Sequence, residues 1–91
     1  MSFEKQVDRN LKGIKLEKAG KIDEAIKLYE MNINESFDGN HPYDRLAIIY
    51  RKRKQFDDEI RVLEKAVRVW KKMGYSEKVD PEYGPNKLKN L

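Results

Sequence analysis

The sequence predicts an all-α protein made of two antiparallel helical hairpins that stack side by side as a short superhelix. When the 91-residue chain is compared with itself at an offset of 34 positions, small residues meet small ones and large apolar residues meet large ones, as Gly13 meets Ala47. Within each copy the apolar residues recur every three or four positions, which is the helical period. Acidic residues also precede basic ones by four positions, as Asp57 precedes Arg61, an arrangement that supports a helix.

The repeat sets the predicted domain boundaries. It places a helical domain at 1–74, with a first unit at about 6–39 and a second at 40–73. After that the pattern fails, because a third copy would need small and aromatic residues where the chain has Pro81. We therefore predict an irregular polar tail, or a cap, at 75–91.

The first unit predicts two helices. Apolar residues of the first helix are Val7, Leu11, Ile14, Leu16 and Ala19. Gly20 is expected to end it, and the acids Asp23 and Glu24 suit the start of the next helix. Apolar residues of the second helix are Ile22, Ala25, Ile26, Leu28, Tyr29 and Ile33.

The second unit follows a turn at Asp38-Gly39, and Pro42 fits the first turn of its first helix. Apolar residues of the third helix are Tyr43, Leu46, Ala47, Ile49 and Tyr50. Those of the fourth are Phe56, Ile60, Leu63, Ala66, Val67 and Trp70. Four aromatic residues have core spacing, and we assign them to packing: Tyr29, Tyr43, Tyr50 and Phe56.

Composition excludes several classes of protein. Charged residues make up 40% of the chain and hydrophobic residues 38%, and no apolar run approaches the roughly 20 residues of a membrane span. The absence of cysteine argues against a disulfide-stapled secreted domain. Because the first residues lack the apolar stretch of a signal peptide, we expect a cytoplasmic protein.

Signals of catalysis are weak. The single histidine, His41, precedes Pro42 at a helix start, where a cap or surface role is expected. Asp57, Asp58 and Glu59 are adjacent, so they point in different directions around a helix and cannot form a facing acid–base pair. The chain has no metal-ligand spacing and no glycine-rich phosphate loop. We therefore expect a protein that is not an enzyme and uses no cofactor or metal.

The period and the residue types resemble the tetratricopeptide repeat. The second unit carries its pattern at Leu46-Ala47, Tyr50, Phe56, Leu63 and Ala66, and the first at Gly13, Gly20, Ile22, Ala25 and Tyr29. The segment PYDRLAIIYRKRKQFDDEIRVLEKA is especially similar to a variety of this repeat in small bacterial and phage proteins. The resemblance implies stacked helical hairpins and a protein that binds other proteins, without naming the partner.

Four positions depart from the family pattern, and the first is Phe37, which stands where the first unit would have the terminal Pro of the repeat. Lys12 stands where the family usually has Leu, and Asn32 where it usually has Ala. Glu59 also replaces a small Ala, at the closest approach of the paired helices. A buried carboxylate needs a partner, so Glu59 is expected to reach the surface or pair with Arg45 or a lysine.

The resemblance also implies a concave groove lined by the first and third helices. Counted onto this chain, the groove residues are Asn10, Ile14, Glu17, Asp44, Ile48, Arg51 and Lys52. Relatives that capture a C-terminal carboxylate combine an Asn with several bases at such positions. Here only Asn10 matches, so we reject that mode and expect a different protein or peptide partner.

The first helix offers a second candidate surface, because Val7, Leu11 and Ile14 form a stripe with no preceding helix to cover it. Either the stripe packs on the chain's own second helix or tail, or it marks a contact between molecules. Two repeats alone bury little area, so a homodimer is expected. Trp70, near the end of the last helix, is either capped by the tail or part of such a contact.

The basic run Arg51–Lys54 gives the alternative function, a nucleic-acid-associated accessory protein. Bases at a helix C-terminus are also favoured by the helix dipole alone, and Asp57 and its acidic neighbours partly neutralise the run. No exposed aromatic platform accompanies it, as single-strand binders usually have. We therefore rank nucleic acid below a protein partner and expect no membrane partner.

Overall fold

The computed structural model describes residues 3–74, which form four α-helices. These are α1 (Phe3–Lys18), α2 (Ile22–Asn34), α3 (His41–Lys52) and α4 (Phe56–Lys72). Helix α1 packs against α2, α3 packs against α4, and α3 also packs against α2. The predicted all-α fold with paired helices is therefore confirmed, and residues 3–74 contain no strand. The predicted tail or cap at 75–91 lies outside the described residues.

The turns inside the two hairpins have the same backbone conformation, 34 positions apart. Gly20 and Lys54 both take left-handed φ values, of 79° and 61°. The N–H groups of Lys21 and Gln55 each donate to the carbonyl oxygen five residues earlier, and both N···O distances are 2.8 Å. This 6→1 bond, with a left-handed residue before it, is the Schellman ending of a helix. Gly20 ends the first helix as predicted, while Lys54 does so without the freedom of a glycine.

The connection between the hairpins is held against the core. The hydroxyl of Tyr43 donates to the carbonyl oxygen of Phe37 at 2.6 Å, and the ring of Phe3 stacks on that of Phe37 with 5.8 Å between centroids. Pro42 lies in the first turn of α3, as predicted. These contacts fix the direction in which α3 leaves α2 and thereby set the packing of the two hairpins.

The core lies between the helices and includes three of the four predicted aromatics. Its buried residues are Ala25, Tyr29, Ile33, Tyr43, Leu46, Ile49, Tyr50, Val62, Ala66 and Val69. The assignment of Phe56 to the core was wrong, because Phe56 is 53% exposed, and so is Ile60 of the same stripe. The apolar surface of α4 is broader than the side that its neighbours cover, and α4 turns Val62 and Val69 inward instead.

None of the helices within residues 3–74 is both long enough and apolar enough to cross a membrane.

Candidate protein-binding face

The solvent-facing side of α3 carries four of the predicted groove residues: Asp44, Ile48, Arg51 and Lys52. Ile48 lies among them and is 41% exposed. Its counterpart on α1, Ile14, is half-buried. We call Asp44, Ile48, Arg51 and Lys52 the α3 face; it offers one apolar side chain among charged ones.

The fifth groove residue, Glu17, ties α1 to α3 and to α2. Its carboxylate accepts two hydrogen bonds from the Arg45 guanidinium, at 2.6 and 3.1 Å, and one from the Tyr29 hydroxyl at 2.6 Å. A bidentate arginine–carboxylate pair is among the strongest polar contacts in proteins. Glu17 is thus occupied within the molecule, and it holds Arg45 beside Ile48 rather than receiving a partner directly.

The ionisation of this cluster follows from its burial and its bonds. Burial raises the pKa of Glu17, but the hydrogen bonds from Arg45 and Tyr29 and the positive charge of Arg45 outweigh it, so the pKa lies below its usual value. Burial, together with the bond to Glu17, moves the pKa of the Tyr29 hydroxyl well above its usual range. Glu17 therefore stays ionised and Tyr29 neutral at neutral pH, which preserves the contact.

His41 begins α3 and packs into the same region. Its ring meets that of Tyr29 edge-on, with 5.4 Å between centroids and 77° between planes. Burial, and then the nearby charge of Arg45, lower the pKa of His41, and its Nε2 atom is buried without a hydrogen-bond partner among the described residues. Instead of the predicted cap or surface residue, His41 is a half-buried packing residue.

Arg51 is held on the other side of Ile48 by Glu59. The Nε atom of Arg51 lies 2.7 Å from the Glu59 carboxylate, and the two side chains are 66% and 9% exposed. Glu59 has a basic partner, as expected, but that partner is Arg51 rather than Arg45 or a lysine, since Arg45 pairs with Glu17. The buried acid of α4 therefore positions a largely exposed base on the α3 face.

This unequal burial predicts unequal effects of removing either partner. Arg51→Ala should lower the free energy of unfolding by about 2–3 kcal/mol, because it leaves the buried Glu59 carboxylate without its partner. Glu59→Ala should change it by less than about 1 kcal/mol, because Arg51 returns to water and Ala suits a helix interior. Urea unfolding followed by circular dichroism measures both values. Equal losses in the two variants would contradict the idea that burial of Glu59 sets the cost.

Asn10, also predicted for the groove, is buried against α2 instead of open to the solvent. The Asn32 side-chain amide donates to Asn10 Oδ1 at 2.9 Å and to the Gln6 carbonyl at 2.8 Å. Arg9 donates to Asn32 Oδ1 at 3.0 Å and to Glu35 at 2.7 Å. We call these five residues the α1–α2 network. Sequence reasoning noted Asn32 as unusual but missed the network, whose only signal was polar residues at helical spacing on α1.

The basic run Arg51–Lys54 is exposed throughout. Its two arginines are already paired, Arg51 with Glu59 and Arg53 with Asp23, the latter at 2.8 Å. Lys52 and Lys54 therefore remain as the members of the run without an ion pair inside residues 3–74. Fewer bases are available to phosphate than the sequence suggests.

The predicted self-association residues lie in different settings. On α1, Leu11 is 55% exposed whereas Val7 and Ile14 are half-buried. Trp70 is on α4 and packs against the core, and its indole N–H has no partner among the described residues. The structure does not bring Trp70 and Leu11 into one exposed patch, and their role in self-association stays a prediction.

A pocket of about 170 Å³ lies between α2 and α4 and is lined by Glu30, Ile33, Asn34, Arg61, Lys65 and Arg68. Glu30 is occupied there, since it accepts hydrogen bonds from Arg61 at 2.6 Å and from the Tyr50 hydroxyl. Within residues 3–74 no group of three or more His, Cys, Asp or Glu side chains is arranged to hold a metal ion.

Comparison of the chain with protein families, with curated proteins and with solved structures found no match.

Proposed function

We propose that this chain is a non-catalytic, cytoplasmic scaffold of the tetratricopeptide kind that binds a protein or peptide through the α3 face. The observation that supports this most is the setting of Ile48. It is an exposed apolar side chain that lies between two arginines, and each arginine is held by a carboxylate from another helix.

Such a face is organised before a partner arrives. Ordering a long side chain on binding costs about 0.5–1.5 kcal/mol, and the pairs of Arg45 with Glu17 and of Arg51 with Glu59 already supply part of that order. An apolar anchor surrounded by polar groups is a common arrangement at protein contact sites. The partner that fits would place an apolar side chain on Ile48 and an acidic group near Arg51 and Lys52.

The family assignment is supported by the repetition in the fold. The two hairpins turn through the same pair of conformations, at Gly20 and Lys54, and their turn hydrogen bonds match in pattern and length. A scaffold role is also consistent with the use of the buried charges, because Glu17 and Glu59 each join two helices. In this proposal Glu17 and Glu59 hold helices together and take no part in a reaction.

The proposal is tested by affinity capture from an extract of the source cell on three immobilised proteins. The wild type and Met31→Asp should retain the same partner, and Ile48→Asp should lose it, because an aspartate on the α3 face replaces the apolar anchor. Met31→Asp is the matched control, because it places the same charge at an exposed apolar residue on α2. Each variant should keep the wild-type circular dichroism. Retention of every bound protein by Ile48→Asp would refute a binding role for the α3 face.

Nucleic acid is the competing ligand class, and the same columns decide between the two. If bound material disappears after nuclease treatment and from a Lys52→Ala/Lys54→Ala variant, the accessory role on nucleic acid replaces the scaffold role. Under our proposal nuclease leaves the partner bound.

A further inference from the structure

Helix α4 carries an apolar stripe that the rest of the described chain does not cover. We call Phe56, Ile60, Leu63 and Val67 the α4 stripe; their spacing puts them on one side of the helix. Phe56 and Ile60 are 53% exposed, and Leu63 and Val67 are half-buried. The stripe lies on a different helix from the α3 face and is independent of the binding role proposed for that face.

The first hairpin shows what normally covers this surface. The positions 34 residues earlier on α2 are Ile22, Ile26, Tyr29 and Ile33. There Tyr29 and Ile33 are 0% and 2% exposed, and Ile22 and Ile26 pack against the core. The second hairpin supplies the cover, since α3 packs against α2. The α4 stripe thus corresponds to the surface of α2 that packs against the second hairpin. It differs from that surface because no following helix in the described residues covers it.

The opposite end of the molecule does not share this property. At three positions where α3 has buried residues, α1 has exposed charged ones. The α3 residues are Pro42, Leu46 and Ile49, and their counterparts are Asp8, Lys12 and Lys15. At these positions α1 is therefore polar where α3 is apolar, although Phe3 and Leu11 elsewhere on α1 are 61% and 55% exposed.

The sequence that follows does not repeat the covering helix. Leu46 and Ala47 are central to the buried side of α3. Thirty-four positions after them the chain has Asp80 and Pro81, a charge and a helix breaker. A third hairpin of the same kind is not encoded, so the cover has to come from elsewhere.

The charges beside the stripe favour a second copy of the same chain. Asp57 and Lys71 are exposed and 14 residues apart, close to four helical turns, so they lie along one edge of the stripe near its two ends. A two-fold axis perpendicular to α4 sets two α4 helices antiparallel, and each surface then meets its own copy. Asp57 of each molecule would face Lys71 of the other, giving two favourable pairs.

We propose that this protein forms a two-fold symmetric dimer in which the α4 stripes of two copies pack on each other with the α4 helices antiparallel. Glu64 lies midway along the same charged edge and meets its own copy near the axis. The contact between the two Glu64 side chains is repulsive. Removing the charge of Glu64 should therefore strengthen the dimer, whereas reversing the charge of Asp57 or Lys71 should weaken it.

Sedimentation equilibrium of the full chain tests the dimer. The wild type should be dimeric, Ile60→Asp should raise the dissociation constant roughly 30-fold or more, and Leu11→Asp should leave it unchanged. Leu11 is the matched control, since it is 55% exposed on α1. A monomeric wild type would overturn the proposal. Dissociation by Leu11→Asp alone would place the contact on α1 and would also overturn it.

Charge reversal tests the antiparallel arrangement. Asp57→Lys and Lys71→Asp should each weaken the dimer several-fold, and the double variant should restore it, because the exchanged charges again face each other. Glu64→Gln should tighten it. Absence of restoration in the double variant, with both single variants weakened, would refute the antiparallel pairing of α4.

Discussion

Asn32→Ala should lower the free energy of unfolding by about 2–3 kcal/mol, even though Ala is the residue that the family pattern favours there. Asn32 is fully buried, and its side chain holds the α1–α2 network together through bonds to Asn10, Gln6 and Arg9. Without it, the Gln6 carbonyl and the Asn10 amide lose a buried partner, and Arg9 loses one of its two acceptors. Urea unfolding of the full chain measures the loss.

The control for this prediction is Asn34→Ala. Asn34 lies two residues further along α2 and is exposed, so its replacement should change stability by less than about 0.5 kcal/mol. If Asn32→Ala proved as mild as Asn34→Ala, water would have to satisfy the groups of the α1–α2 network, and the network would not be what specifies how α1 packs on α2.

Gly13→Ala should destabilise the protein by about 1–3 kcal/mol. Helix propensity alone gives the opposite sign, because Ala is favoured over Gly in a helix interior by about 1 kcal/mol. A Cβ atom at position 13 would lie 2.5 Å from Cε1 and 2.7 Å from Cζ of the Tyr29 ring. That ring has little room to move, since it is fully buried and its hydroxyl is bonded to Glu17.

The second hairpin suggests how to relieve the clash. The counterparts of Gly13 and Tyr29 are Ala47 and Leu63, a larger residue and a smaller one. Adding Tyr29→Leu to Gly13→Ala should therefore recover part of the penalty in a double-mutant cycle measured by thermal unfolding. A purely additive cycle would show that the ring of Tyr29 is not what excludes a side chain at position 13.

The helices and their ends were readable from the sequence because their signals are local. Three- and four-residue apolar spacing predicted every helix, Gly20 predicted the first turn, and Pro42 predicted the start of α3. The left-handed conformation of Lys54, 34 positions after Gly20, was not predicted, because a lysine does not indicate such a conformation. The conformation of these helices and of the turn at Gly20 depends on residues that are close together in the sequence. A single sequence is therefore enough to predict them.

Part of the candidate site was readable as well. The exposure of Ile48 and Arg51 could be predicted, because the helical period places both on one side of α3, whereas a binding role for that side stays a proposal. Two other groove residues were misplaced by the same reasoning: Asn10 is buried, and Glu17 is occupied by Arg45 and Tyr29. The burial of Asn10 and the ion pair of Glu17 depend on residues more than ten positions away in the sequence. Helical spacing gives no information about such distant contacts.

By itself, the sequence determined that residues 3–74 form four helices in two similar hairpins, and that the first hairpin turns at Gly20. Only the tertiary structure decided that Phe56 stays exposed while Glu59 is buried, and that Arg51 rather than Arg45 neutralises that acid. The physical reason is that the spacing of apolar and charged residues along the sequence indicates only which side of its own helix a residue occupies. Whether that side contacts another helix, and which side chain it contacts there, depends on how the helices pack.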